Sequence, residues 1–332
     1  MTAGDQRLLQ IVMPVFNDWE SAQFLLADIE REFADEAVTI EAVLVDDGSI
    51  QAGPAAIPAG PRISKITCLK LGCNVGHQRA IAIGLTEIAS HSPTGHVAIM
   101  DSDGEDRPAE LRRLYTMAQE DQTVALVAQR AQRSESFLFR LFYRIYLGLF
   151  RYLTGQRINF GNFAILPAGM VGRIVRDQNV WNHFAAALLR SRIPIRFVPT
   201  RRGTRYVGQS KMNFVSLIAH GLGAISVFTE AVFIRILIVS AVMLALSMGV
   251  TGLALYFKFF TAMALPNWAT TVLGFAIVIS FQALMMPILM AFMLLNSRAH
   301  IQPVLSRVVL DYVAERIDLT ARIKGKRAGR AG

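Results

Sequence analysis

The chain of 332 residues predicts an α/β domain on a mostly parallel sheet, followed by two membrane-crossing helices. Apolar runs without polar alternation recur in the first 130 residues, separated by stretches with helical periodicity, as in strands covered on both faces within βαβ units. Two of these runs end in acids, VDDGS (residues 45–49) and DSDGED (residues 101–106). Hydrophobic residues make up 53% of the chain against 18% charged, and they crowd into its last third. There residues 236–257 form 22 consecutive uncharged positions. At ~1.5 Å rise per residue, that run crosses a ~30 Å hydrocarbon layer.

Residues 8–16 (LLQIVMPVF) read as the first strand, ended at Pro14, with Asn17-Asp18 capping a helix over 19–33. Residues 41–49 repeat the strand, and its acids Asp46 and Asp47 lead into a Gly-Ser turn. The Pro- and Gly-rich stretch 51–62 is expected to lack regular structure. A third strand over 63–71 leads through GCNVGHQRA (72–80) into a helix over 80–89, whose first amides are placed to meet an anion. Residues 97–100 form the strand that delivers Asp101, Asp103, Glu105 and Asp106 to the sheet's carboxyl edge, where open α/β sheets bind ligands. Asp-x-Asp-x-Glu sets hard oxygen ligands on one side of a turn, suited to Mg2+ or Mn2+; a solvated loop capping the next helix reads the same way. Pro108 opens a helix over 109–120, and residues 123–129 return as a strand ending at Arg130.

In residues 134–154, Arg133, Arg140, Arg144 and Arg151 fall within an arc of roughly 40° at ~100° per residue, with Phe, Leu and Tyr around the rest. This predicts an interfacial helix on a bilayer; a core helix with one solvated stripe is the alternative. Residues 213–231 read as a juxtamembrane helix, and residues 232–297 as a hairpin with spans near 234–258 and 268–295, the second interrupted by Pro287. From Arg298 onward eight Lys or Arg face three acids, which predicts a basic cytoplasmic tail, with the domain 1–212 on the same side of a plasma (inner) membrane. No signal-peptide pattern precedes the first strand. Cys68 and Cys73 read as reduced structural thiols. The net charge of +9 lies largely beside apolar helices, so anionic lipid and a phosphate-bearing substrate are the expected partners rather than nucleic acid.

PVFND (14–18), VDDGS (45–49), NVGHQRA (74–80), DSDGED (101–106) and RYVGQSK (205–211) stand in order. With the helices that follow, the chain resembles the family 2 glycosyltransferases of GT-A fold, a Rossmann-like architecture. Within them it resembles the polyprenyl-phosphate glycosyltransferases with a C-terminal membrane hairpin. The resemblance implies an inverting transferase that takes a nucleotide-diphospho-sugar donor and a polyprenyl phosphate acceptor at the lipid bilayer. It implies that Pro14, Val15, Asp18 and Asp46 or Asp47 line the nucleotide pocket. Asp101, Asp103 and Glu105 match its metal positions for Mg2+ or Mn2+. Arg130, Arg205 and Lys211 match basic positions near the donor diphosphate and acceptor phosphate. Many relatives carry Gly-Asp-Phe-Arg where this chain has Gly161-Asn162-Phe163-Ala164, so the role of that Asp as general base does not transfer. A lipid phosphate with a second pKa near ~6 is already an anionic nucleophile at neutral pH, which leaves Asn162 to orient an acceptor oxygen. A processive polysaccharide synthase would carry Gln-x-x-Arg-Trp, and no Trp here follows an Arg. A non-catalytic scaffold or lipid carrier is the rival from another class. Two uncharged spans line no transport path from one chain, although a homo-oligomer could build one.

Overall fold

The computed structural model describes residues 8–130, 137–208, 214–261, 267–299 and 309–322. The first half alternates as expected: β1 (Leu8–Val15), α1 (Trp19–Glu32), β2 (Thr39–Asp46), β3 (Ile57–Ala59), β4 (Ile63–Leu71), α2 (His77–Ser90), β5 (His96–Ile99), α3 (Pro108–Glu120) and β6 (Ala125–Arg130). Then come α4 (Phe137–Thr154), β7 (Ala164–Pro167), α5 (Ala168–Val175), α6 (Phe184–Arg190), β8 (Ile195–Thr200) and α7 (Phe214–Ser226). Two long helices, α8 (Thr229–Phe260) and α9 (Trp268–Ala299), precede β9 (Val313–Asp318) and β10 (Thr320–Arg322).

The main sheet runs β8-β6-β7-β5-β1-β2-β4-β9. β1 pairs in parallel with β2 and β5, β2 with β4, and β6 with β8, while β7 and β9 run antiparallel to their neighbours. Strand alternation divides the core. Leu9, Ile11, Met13 and Val15 of β1 are buried in one cluster with Leu25, Leu26 and Ile29 of α1 and Leu111 and Leu114 of α3. Val12 points to the other face, against α2. Each such fully buried side chain contributes on the order of 1.5–3 kcal/mol. The fold is therefore the mixed, mostly parallel α/β sheet that the apolar runs predict, with the ends of β1, β2 and β5 along one edge.

Four differences from the sequence reading have local causes. The Pro/Gly segment contains β3, which is held by parallel pairing with β10. Helix α2 starts at His77 rather than at Ala80, because Gly76 at φ 94° turns the chain into it without strain. The long helices exceed the expected spans, and α9 runs through Pro287 without a break. Residues 313–322, expected in a basic tail, instead form strands of the sheet domain. β9 is an edge strand with one ladder partner, so its side chains stay polar, and its place is set by β4 and by Arg316. That guanidinium donates from Nε and Nη2 to both oxygens of the buried Glu87 of α2, at 3.0 and 3.1 Å.

The described chain divides into two compact units, Met1–Arg144 with Ile158–Val227 and Pro303–Gly332, and Ile145–Arg157 with Phe228–Gln302. In the second unit α8 and α9 are long and apolar enough to cross a membrane. Apart from Val232 and Pro287, their buried positions among the described residues carry small residues at seven-residue spacing, Ser240, Ser247 and Ala254 on α8 and Ala269, Ala276 and Ala283 on α9. Small side chains let the backbones approach, and the Ser247 hydroxyl donates to the Ala276 carbonyl at 2.8 Å. On α4, Arg144 and Arg151 are exposed, whereas Arg133 and the side chain of Arg140 lie outside the described residues.

Replacing Arg316 by Ala removes the partner of a buried carboxylate. Because the guanidinium itself is half exposed, the expected loss is about 1–2 kcal/mol rather than the larger value of a fully buried pair. Thermal unfolding of the full chain should show this loss, and Glu87→Gln added to Arg316→Ala should recover most of it.

Candidate active site

The ends of β1, β2 and β5 bring three loops together. Ser102 donates its hydroxyl to the Pro14 carbonyl at 2.9 Å, and the Asp47 amide donates to the Val15 carbonyl at 2.9 Å. Asn17, at φ 51°, accepts through Oδ1 from the amides of Ile50 and Gln51. Asp18 stands at the N-cap of α1, yet its carboxylate accepts from the Ser21 hydroxyl at 2.6 Å instead of a helix amide. Asp46 accepts from the Ser49 amide.

Asp47 is committed to the structure of the neighbouring loop. Its carboxylate accepts from the amides of Val75 at 2.7 Å and Gly76 at 3.0 Å, just ahead of α2. The anion expected at these amides is thus the protein's own. Burial raises the Asp47 pKa, opposed by those two hydrogen bonds.

Among the four acids after β5, roles divide. Asp106 is buried and accepts from the Asp101 amide at 3.0 Å, so it shapes the turn. Asp101 Oδ1 lies 3.1 Å from His77 Nε2. Asp103 is buried; burial, then the adjacent Asp101, push its pKa up to about 6, against the pull of Arg205. Arg205 Nη2 donates to Asp103 Oδ2 at 2.6 Å, its Nε lies 3.5 Å from Glu105 Oε1, and Arg202 pairs with Glu105. Tyr206 covers Gly104, where a Cβ would lie 2.3 Å from the ring, and its hydroxyl donates to Asp28 at 2.6 Å. Loop 201–208 therefore closes over the acidic turn.

Asn162 lies on the other side of Asp101. The Phe184 amide donates to Gln78 Oε1 at 2.7 Å, which fixes the Gln78 amide so that its Nε2 donates to Asn162 Oδ1 at 3.1 Å. This turns Asn162 Nδ2 toward His77 Nε2 at 3.0 Å. Burial disfavours the charged His77, but Asp101 beside it, with Asp103 and Asp106, raises its pKa overall. Beyond it, His183 Nε2 and His220 Nε2 lie 3.1 Å apart. Burial, then the facing His220, lower the His183 pKa to about 3.

The site residues named from the sequence are thus largely gathered: Pro14, Val15, Asp18, Asp46, Asp47, Asp101, Asp103, Glu105, Asn162 and Arg205 meet along one sheet edge. Arg130 ends β6 beside Thr200 of β8, its side chain undescribed, and Lys211 lies outside the described residues. His77, Gln78, Arg202 and Tyr206 were not singled out by sequence reasoning. They sit inside or beside the quoted motifs NVGHQRA and RYVGQSK, and that position was the available signal.

His96, His183 and His220 all have pKa values lowered by burial. The unfolded chain binds protons at these groups from about pH 6.5 downward, while the folded chain resists, so their stabilisation is present above 6.5 and is lost as pH falls. Each contributes a slope of up to about 1.4 kcal/mol per pH unit. Thermal unfolding between pH 7 and 4.5 should show His183→Asn, which can still cap α6, losing less of its midpoint with acid than the unsubstituted chain, the opposing raised pKa values of His77 and Asp103 being common to both.

Residues 10–178 match the profile of "Glycosyl transferase family 2", half of the chain. The uncharacterized glycosyltransferase YkoT of Bacillus subtilis is 25% identical over 285 residues, 81% of each chain. An undecaprenyl-phosphate 4-deoxy-4-formamido-L-arabinose transferase of Erwinia tasmaniensis is 26% identical over 234 residues, 66% of this chain and 67% of that one. Among solved structures, glucosyl-3-phosphoglycerate synthase from Mycobacterium tuberculosis, in a complex with Mn2+ and uridine diphosphate, aligns with a TM-score of 0.46 at 12% identity, over 68% of this chain and 80% of that one. The strand-end acids, the sheet that carries them and the match over residues 10–178 agree: the chain is a transferase that belongs to glycosyltransferase family 2.

Proposed function

We propose that the protein transfers a sugar from a nucleotide-diphospho-sugar to a polyprenyl phosphate, with inversion at the anomeric carbon. The observation that carries this reading is the pairing of two unlike half-sites around Asp101. On one side Asp103 and Glu105 face Arg202 and Arg205; on the other His77 and Asn162 present nitrogen groups next to Asp101. The undecaprenyl-phosphate transferases among the relatives support the acceptor class.

The donor set suits a divalent cation. Asp101, Asp103 and Glu105 offer hard carboxylate oxygens, and the raised pKa of Asp103 reflects negative crowding that a cation relieves. Among the described residues no three ligands already stand at metal spacing; the arginines hold two of these carboxylates. A Mg2+ or Mn2+ ion bound there would supply Lewis-acid stabilisation of the leaving diphosphate. Pro14, Val15, Asp18 and Asp46 line the base and ribose side. Arg205, with Arg130 and Lys211, is assigned to phosphate oxygens, where a guanidinium fork gives paired hydrogen bonds. Asn162, oriented through Gln78, positions the acceptor oxygen. That oxygen attacks the anomeric carbon, the bond to the diphosphate breaks, and the nucleoside diphosphate departs with the electron pair. Catalysis rests on positioning and charge stabilisation, without a general base.

The return of β9 to the sheet supports a hairpin topology. Strands before α8 and after α9 pair in one sheet, which supports an even number of crossings. The basic residues of 298–332 and the donor class favour the cytoplasmic side.

Purified full chain, a panel of nucleotide sugars and a polyprenyl phosphate test this reading. A radiolabelled glycolipid should form only with Mg2+ or Mn2+, and Asp103→Ala should lower turnover at least about a hundredfold while unfolding normally. In cells, a cysteine at Asn267 should label from outside and one at Glu315 should not. Full turnover in excess chelator would defeat the metal assignment, and the reverse labelling pattern would defeat the topology.

A further inference from the structure

We propose that the cavity between α4 and α8 is a binding site for one anionic phospholipid; this rests on reading α8 and α9 as membrane spans. Gly148, Arg151 and Tyr152 of α4 and Arg235, Ile238 and Val239 of α8 line a space of about 670 Å3. Arg235 Nη1 donates to the carbonyls of Arg151, at 3.1 Å, and Tyr152, which caps the carboxyl end of α4 and fixes the guanidinium in place. It is the last charged residue before the uncharged run of α8. Among the described residues neither Arg151 nor Arg235 pairs with a carboxylate, so the rim carries two uncompensated positive charges.

The lining changes character along α8. Ile238 and Val239 are exposed and lie about one turn beyond Arg235, roughly 5 Å deeper along the helix. A ligand that fits has a phosphate oxygen for the guanidinium N–H groups, ester carbonyls within reach of the Tyr152 hydroxyl, and methylenes that begin immediately below. An anionic glycerophospholipid has these in that order. The cavity holds a headgroup and glycerol, larger than the bare phosphate of a polyprenyl phosphate, whose proposed place is at Asn162, so this site is assigned to the phospholipid and not to the acceptor. A lipid held there would join α4 and α8 at the level of the bilayer phosphates.

Native mass spectrometry of the full chain in neutral detergent, titrated with phosphatidylglycerol or phosphatidylcholine, tests the site. One phosphatidylglycerol should be retained in preference to phosphatidylcholine. Arg151→Ala should weaken it about fivefold, while Arg144→Ala, exposed on the same helix outside the cavity, should not. Equal retention of both lipids, or equal loss in both variants, would overturn the site. So would displacement of phosphatidylglycerol by inorganic phosphate, since the apolar floor would then play no part, or one-for-one displacement by polyprenyl phosphate. If the chain fails to fractionate with membranes, the membrane reading fails, and that outcome is seen separately from lipid retention.

Discussion

Four carboxylates within six positions at the end of a fully buried strand create a charge problem that the surrounding structure answers piece by piece. Asp106 accepts from the Asp101 amide, and Asp101 lies against His77, whose pKa it raises. Asp103 and Glu105 depend on a loop about a hundred positions later, through Arg202 and Arg205. In a largely buried setting an uncompensated carboxylate costs several kcal/mol, so the closure of residues 201–208 over the turn is a requirement of the acids as much as a feature of the loop. Tyr206 stacked on Gly104 fixes the register of that closure.

The same arrangement would let the proposed site for a highly charged donor exist in a folded protein. In the proposed reading, the arginines that hold carboxylates are already oriented for the donor phosphates, and little reorganisation is needed to exchange one anion for another. The proposed acceptor side is built differently. A neutral relay from the Phe184 amide through Gln78 to Asn162 fixes donor direction without adding charge, consistent with an acceptor that brings its own negative charge. Both half-sites share Asp101, so neither is independent of the other.

Five strands of the main sheet could be read directly. β1, β2, β5 and β6 are mostly apolar and buried on both faces, which leaves its imprint in composition, and β4 keeps enough apolar positions to read as a strand although Lys65 and Lys70 are exposed. β3, β7 and β9 could not. β3 and β7 are three and four residues long, and β9 alternates polar residues on an edge, so each is specified by its partner rather than by its own pattern. The tail misled for that reason: its excess of Lys and Arg is real, but Arg316 answers a buried Glu87 and not only a membrane. Strand-end acids were legible because spacing alone put them on one edge. The functions of His77, Gln78 and Asp47 depend on partners 24 to 106 positions away, such as Val75, Asn162 and Phe184, and local sequence holds no record of those distances.

The central claim is that Arg202 and Arg205 share the acids with a divalent cation and release them when a diphosphate takes the arginines. Mn2+ affinity of the full chain, measured by electron paramagnetic resonance with and without a nucleoside diphosphate, tests it most directly. The account predicts that the nucleotide tightens Mn2+ by about tenfold or more, a coupling of ~1.4 kcal/mol. Equal Mn2+ affinity in both conditions, across a panel of nucleoside diphosphates, would contradict it.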